Sequence, residues 1–380
     1  LRFTMIDSKR LLLHSIAAVL SPVAIPAQGP PPGFQESVVW QGVGISTAVR
    51  FAPDGHVFLA EKSGILRVYD SPEDQTATVF ADLRAEVYGI YDRGLLGLAI
   101  DPLYPANPYV YVLYASAYLG IEESCTDSTG SGCLARGRIA RLEADVNAGP
   151  VMIGPPVVLL EDWCQQGPSH SIGDLHFGLE GALYVPAGDG ASFNYVDCGQ
   201  TGNPCGDPLN QGGALRSQDL RTTGDPVTFD GTLLRIDPLT GAALSDNPLF
   251  GGAIADDDRV IAHGLRNPFR FNVRPGSGEI WIGDVGWAGW EEIDVVRDPI
   301  DGLVENFGWP CYEGLPRQAG YDSANLSICE SLYAAGSGAE AAAADYVGRA
   351  LVAFAEVEAA LAREDSLRRA CERHAEAART

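Results

Sequence analysis

The segment "SHSIGDLHFGLEGALYVPAGDG" (169–190) sets His170 ahead of one apolar run and Asp189 at the end of the next. A turn separates the two runs. In an antiparallel pair the start of one strand lies beside the end of the other, so the two residues come within reach despite their separation. A carboxylate beside an imidazole fixes its tautomer and raises its basicity, which is what a general base requires. A strand-end histidine with a turn-capping aspartate is the plain alternative, and the spacing leaves both open. His176, on the strand itself, reads as structural. In "HGLRNPFRF" (263–271), Pro268 biases Asn267 toward an extended or turn conformation. Arg266 beside it offers planar donors to an anionic or carbonyl-bearing ligand, or is simply a loop arginine. "WIGDVGWAGWEEIDVV" (281–296) and "ENFGWPCYEG" (305–314) are Gly/Trp loops with nearby carboxylates. Loop carbonyls with Asp and Glu oxygens suit a hard cation such as Ca²⁺, although no EF-hand spacing is present. Their tryptophans serve either a core or a stacking wall.

The elements that must position these residues are short strands. An apolar strand, a Pro/Asp/Gly turn and a second apolar strand recur in "VRFAPDGHVFLAEKSGILRVYD" (49–70), 175–190 and "FNVRPGSGEIWIGDVG" (271–286). Looser copies are "GLAIDPLYPANPYVYVLYA" (97–115) and "GTLLRIDPLTGAAL" (231–244). Period-two alternation around a tight turn is a hairpin signature. Hairpins repeating through most of the chain, with 44 glycines and 25 prolines, point to an all-β body built of propeller blades; a β-sandwich is the runner-up. Polar insertions at 116–137 and 191–230 are expected to build the functional face.

The 380 residues carry a formal net charge of −24, which repels nucleic-acid phosphate and anionic lipid, so no nucleic-acid partner is expected. Lys9 and Arg10, the apolar run Leu11 to Leu20 and small residues up to Ala27 predict an export signal over 1–27, hence a secreted or periplasmic protein. That run is too short to span a bilayer. Eight cysteines fit an oxidising compartment. Cys125 can pair with Cys133 and Cys311 with Cys329. Cys205 is left to choose between Cys164 and Cys198, and Cys371 stands apart. Past Ser331 the chain turns Ala/Glu/Arg-rich, and Val347, Leu351, Phe354, Val357 and Leu361 recur at helical spacing. The organisation expected is a signal (1–27), a propeller domain (28–333) and an α-helical tail (334–380).

Six stretches, "RGLLGLAIDP", 169–190, "GTLLRIDP", "GLRNPFRF", "GDVGWAGWEEIDVV" and "NFGWPCYEG", occur in one order over about residues 35–330. In that order the chain resembles the glucose/sorbosone dehydrogenase family, the soluble quinoprotein aldose dehydrogenases. The resemblance implies a six-bladed β-propeller that binds pyrroloquinoline quinone (PQQ) and Ca²⁺ at the top of its channel and oxidises a sugar. By the same resemblance, His170 removes the anomeric hydroxyl proton, Asp189 orients it, and Arg266 polarises the quinone oxygen. Asp92, Asn194 and Asn267 fall at cofactor contacts, and the carbonyls of Gly286, Trp287 and Phe307 at Ca²⁺ ligands. The electron acceptor is not implied. The family's last strands have no counterpart here. The propeller is therefore expected to be incomplete at its C-terminus, with four or five sheets and the Ala-rich tail in place of the rest, and the chain as written to bind PQQ weakly and show little dehydrogenase activity for want of the last blades' cationic residues. A reading-frame slip produces such a tail composition, and a genuine variant is the alternative. A non-enzymatic propeller binding carbohydrate or protein, and a Ca²⁺-dependent lactonase, are the competing functions.

Overall fold

The computed structural model describes residues 35, 37–117, 134–147, 149–200, 205–222, 228–252 and 257–335. The export signal, Cys125, Cys133, Cys371 and the tail beyond residue 335 lie outside the described residues. Residues 1–41 and 42–380 form separate units. In the first, the described residues have no regular structure. All named elements belong to the second.

Its strands form four sheets in chain order. Blade 1 holds β1 (Ser46–Phe51), β2 (Val57–Glu61), β3 (Ile65–Tyr69) and β4 (Thr78–Asp82). Blade 2 holds β5 (Leu95–Ile100), β6 (Tyr109–Ala117), β7 (Ala135–Asp145) and β8 (Val151–Gln165). Blade 3 holds β9 (His176–Phe177), β10 (Leu183–Pro186), β11 (Thr232–Ile236) and β12 (Val260–His263). Blade 4 holds β13 (Pro268–Val273), β14 (Ile280–Asp284) and β15 (Glu292–Val296). The short β16 (Glu305–Asn306) returns to blade 3 and pairs parallel with β12. Within each blade the strands are antiparallel neighbours, and β1, β5, β9 and β13 lie against one another in turn. This is a propeller arrangement of four blades among the described residues.

The six blades implied by the resemblance are thus corrected to four. The physical reason is in the sequence after Asn306, where period-two alternation stops. There the chain forms loops, α1 (Ala319–Ser323) and α2 (Ser327–Ala335), tied by the Cys311–Cys329 disulfide. The hairpin expected over 231–244 is also corrected. Ile236 makes a single bridge to Ala243, and the true partner of β11 is β12, beyond an intervening loop.

Radial packing follows from strand alternation. Between blades 1 and 2, Phe58, Leu66 and Val68 meet Leu95, Val110 and Val112. Between blades 2 and 3, Tyr111, Leu113 and Trp163 meet Leu183, Val185 and Leu234. Between blades 3 and 4, Tyr184, Leu233 and Ile261 meet Phe271, Ile280 and Ile282. Each fully buried side chain of this size contributes about 1.5–3 kcal/mol by leaving water. A fourth cluster, with Ala214, Leu215, Trp309, Tyr321 and Cys329, packs loops and helices onto one end.

Candidate active site

The segments entering β5, β9 and β13 meet at one place, since Arg93 donates to Gly167, and Gly190 and Asp189 donate to the carbonyls of His170 and Arg266. Arg93, His170 and Arg266 are on those segments. The long β10–β11 connection begins there too and carries Asp189. The ladder beyond β10 continues as backbone bonds: Gly188 donates to Ser171, Gly190 to His170, and Asp189 to the carbonyl of Arg266. A Cβ on Gly188 would stand 2.4 Å from the His170 carbonyl, so this close approach needs glycine. His170 itself has φ of 52°, a left-handed conformation that is unfavourable for a residue with a Cβ.

Sequence reasoning brought His170 and Asp189 together, and the structure does the same. His170 Nδ1 lies 2.9 Å from Asp189 Oδ1, and both side chains are buried. The backbone N–H of Ala191 also donates to Oδ1, and the Trp309 indole N–H donates to Oδ2 at 2.7 Å. Burial pushes the Asp189 carboxyl up, but His170, Arg266 and the Ala191 N–H outweigh it, and the group sits below the ordinary aspartate value. An ionised carboxylate only accepts hydrogen bonds, so His170 donates from Nδ1, which in the neutral ring leaves the lone pair on Nε2. That is the arrangement of an oriented base.

Arg266 stands beside this pair. Its Nη1 donates to the carbonyls of Val285 (2.8 Å) and Gly286 (2.7 Å), and its guanidinium lies 5.2 Å from the centre of the Trp309 ring. Its Nε is buried without a partner among the described residues. The backbone N–H groups of Arg266 and Asn267 both donate to the Asp284 carboxylate. Burial raises Asp284 to about 7 despite those bonds, and raises Glu292 to about 8 with help from Asp284. Asp92 joins the site through Ser169, whose hydroxyl donates to it at 2.6 Å. Asn194 is exposed and follows Phe193, whose ring centre is 6.3 Å from that of His170. The Trp287 indole donates to the Phe193 carbonyl at 2.9 Å. Phe307 donates its N–H to His263 and packs against the core between blades 3 and 4.

The Gly286 carbonyl expected to ligate Ca²⁺ therefore already faces a cation. A Ca²⁺ ion sits about 2.3–2.6 Å from its oxygens, and at Gly286 it would be pressed against the guanidinium. Among the described residues, no three His, Cys, Asp or Glu groups converge to hold a metal. With its carbonyl engaged by Arg266, Gly286 does not fit Ca²⁺ in this arrangement, and no step runs through a metal.

Three contributors were missed. Trp309, 120 positions from Asp189, fixes the carboxylate oxygen that His170 does not use. Arg93, fully buried, donates from Nη2 to the carbonyls of Gln165 and Gly167 and so holds the approach to His170; burial lowers it to about 10. Arg216, also buried, donates to the carbonyls of Cys164 and Asp189 and pairs with Asp207. Arg93 and Trp309 lie in motifs already singled out, which was the available signal; Arg216 had none. The Cys164–Cys205 disulfide resolves the choice left open above and leaves Cys198 free.

The sequence profile of the family described as Glucose / Sorbosone dehydrogenase matches residues 44–327. The chain belongs to the glucose/sorbosone dehydrogenase family. Among curated family relatives, quinoprotein glucose dehydrogenase B of Acinetobacter calcoaceticus is 25% identical over 77% of this chain and 56% of its own length. The aldose sugar dehydrogenase YliI of Escherichia coli K12 is 24% identical over 69% of this chain and 58% of its own. The chain thus spans a little over half the length of these relatives. Among solved structures, the Thermus thermophilus oxidoreductase described as a glucose dehydrogenase superposes with a TM-score of 0.53 at 27% identity, covering 73% of this chain and 68% of that one. The PQQ-bound aldose sugar dehydrogenase of Streptomyces coelicolor has the same TM-score at 21% identity, covering 75% and 68%, and shares the fold. No helix of the described residues is long and apolar enough to cross a membrane.

Proposed function

We propose that this chain is a PQQ-dependent dehydrogenase that oxidises the anomeric hydroxyl of an aldose to the lactone, exported to the periplasm or beyond. The observation that carries the reading is His170, held through Nδ1 by the Trp309-anchored Asp189, beside Arg266 with its buried, unpartnered Nε. An orphaned guanidinium N–H calls for an acceptor, and a quinone oxygen or carboxylate meets that need, so the residues fit PQQ. PQQ, when bound, supplies a two-electron quinone that accepts the hydride from the anomeric carbon.

This chain's residues do the rest. His170 Nε2 takes the hydroxyl proton as the carbon–hydrogen bond breaks, and Asp189 stabilises the imidazolium that forms. Arg266 puts fixed positive charge where negative charge gathers. Asp92, Asn194 and Asn267, which the resemblance sets at cofactor contacts, would hold the cofactor beside Arg266. The lactonase alternative would draw on converging carboxylates, whereas this mouth offers an imidazole and a guanidinium. Purified protein titrated with PQQ should show saturable quenching of tryptophan fluorescence and aldose-dependent dye reduction. His170→Ala should keep PQQ binding and lose about 10²–10⁴-fold in turnover. Unchanged turnover in that variant rules out the base assignment. Absence of PQQ binding in the wild type moves the protein to the non-enzymatic, carbohydrate- or protein-binding class.

A further inference from the structure

The β14–β15 loop turns so tightly that a Cβ on Gly286 would stand 1.5 Å from the Trp290 carbonyl. Four successive backbone N–H groups inside that turn point at one atom. Trp287, Ala288, Gly289 and Trp290 donate to Glu313 Oε1 at 2.8, 2.6, 2.8 and 3.3 Å. Converging N–H groups of this kind form a concave anion site. Here the anion is the chain's own carboxylate, which is only 5% exposed. Its segment is itself braced: Glu313 donates its N–H to Pro316, Gln318 donates to the carbonyl of Cys311, and Cys311 is bonded to Cys329.

The loop so held makes two contacts with the site. On one side the carbonyls of Val285 and Gly286 grip Arg266 Nη1. On the other, the Trp287 indole grips the carbonyl of Phe193, the residue flanking His170. We propose that Glu313 is a positioning residue for the channel mouth: by filling the nest at 287–290 it fixes the carbonyls that aim Arg266 and the indole that places Phe193. Without the carboxylate, four N–H groups lose their acceptor, and the loop must open to hydrate them, releasing Arg266.

The functional consequence rests on the reading of Arg266 as a cofactor-facing group, so loop order and cofactor binding are measured separately. Hydrogen exchange across 284–292 reports the loop, and PQQ quenching of tryptophan fluorescence reports the mouth. In Glu313→Ala we expect the loop amides to exchange about 10-fold faster or more and PQQ to bind about 10-fold more weakly. Added formate should restore both in Glu313→Ala and change neither in the wild type, a rescue that general destabilisation would not show. Glu313→Gln keeps an acceptor oxygen without the charge and should fall between. Wild-type exchange in Glu313→Ala overturns the proposal, as does faster exchange with undiminished PQQ affinity. If Glu313→Ala fails to fold, wild-type exchange and affinity in Glu313→Gln overturn it instead. If the wild type binds no PQQ, the proposed function fails, while exchange and its rescue by formate still decide whether Glu313 holds the loop.

Discussion

In blades 2 and 3, β6, β10 and β11 bury both faces, whereas β1 of blade 1 and β15 of blade 4 bury one. In β6, Val110, Val112 and Tyr114 face blade 1 while Tyr111, Leu113 and Ala115 face blade 3, and all six are buried. In β1 the same alternation leaves Ala48 buried but Val49 and Phe51 exposed, Phe51 at 67%. In β15, Asp294 and Val296 are buried and Ile293 is exposed. Alternation in a strand therefore counts its neighbours. A sheet packed on both sides reads as a nearly continuous apolar run, and one packed on a single side as apolar and polar by turns. Asp189 follows β10, which is buried on both faces, and His170 leads into β9 beside it. The proposed base is thus anchored to a strand with packing partners on both faces.

The largest test of this contrast is Leu234→Ala, in the middle of β11 between blades 2 and 3. It should cost about 2–5 kcal/mol, read as a lowered urea midpoint with unchanged slope. A loss comparable to that of an end-blade residue would break the comparison. The next effect is acid sensitivity within blade 3. Burial lowers the His263 imidazole to about 4, so the unfolded chain takes up its proton near pH 6.5 and the folded chain does not. Stability should fall as pH drops from 6.5 through 4, by about 3 kcal/mol from this group, and His263→Gln should flatten the fall. In blade 4 the sign is opposite. Glu292, raised to about 8, is easier to ionise unfolded than folded, so stability is lost as pH rises from 4.5 through 8. Glu292→Gln should remove about 2 kcal/mol of that loss, read from urea midpoints near pH 5.5 and 8.5. The smallest effect belongs to blade 1: Phe51→Ala should shift stability by less than about 0.5 kcal/mol.

The hairpins at 49–70, 175–190 and 271–286 were legible because both strands and the turn fit inside one short window. The hairpin at 231–244 was misread for the same reason: Ala243 is the nearest apolar candidate, yet the loop before β12 carries the real partner further on. His170 and Asp189 could be paired because one hairpin holds both. The indole that completes the pair comes from the loop after β16, and no spacing rule links it to Asp189. The figure of six blades came from a resemblance to whole rings, whereas the four or five sheets expected from where the strands stop agree with the four observed. For the Gly/Trp loops, sequence shows which carbonyl oxygens are present, but not that the Gly286 carbonyl already accepts from Arg266.

The three radial interfaces join blades that are consecutive in the chain. Each blade, as it leaves the ribosome or an export channel, finds its docking face already assembled in the one before it. Loop closure between interfaces is short, and the search for partners stays local until long-range bonds such as Arg50 to Asp174 and Arg270 to the Thr47 carbonyl tie the inner strands together. Folding can proceed as a zipper from blade 1, with one unsatisfied apolar face exposed at the growing end at any moment. The pairing of His170 with Asp189 takes shape only when the third tooth closes.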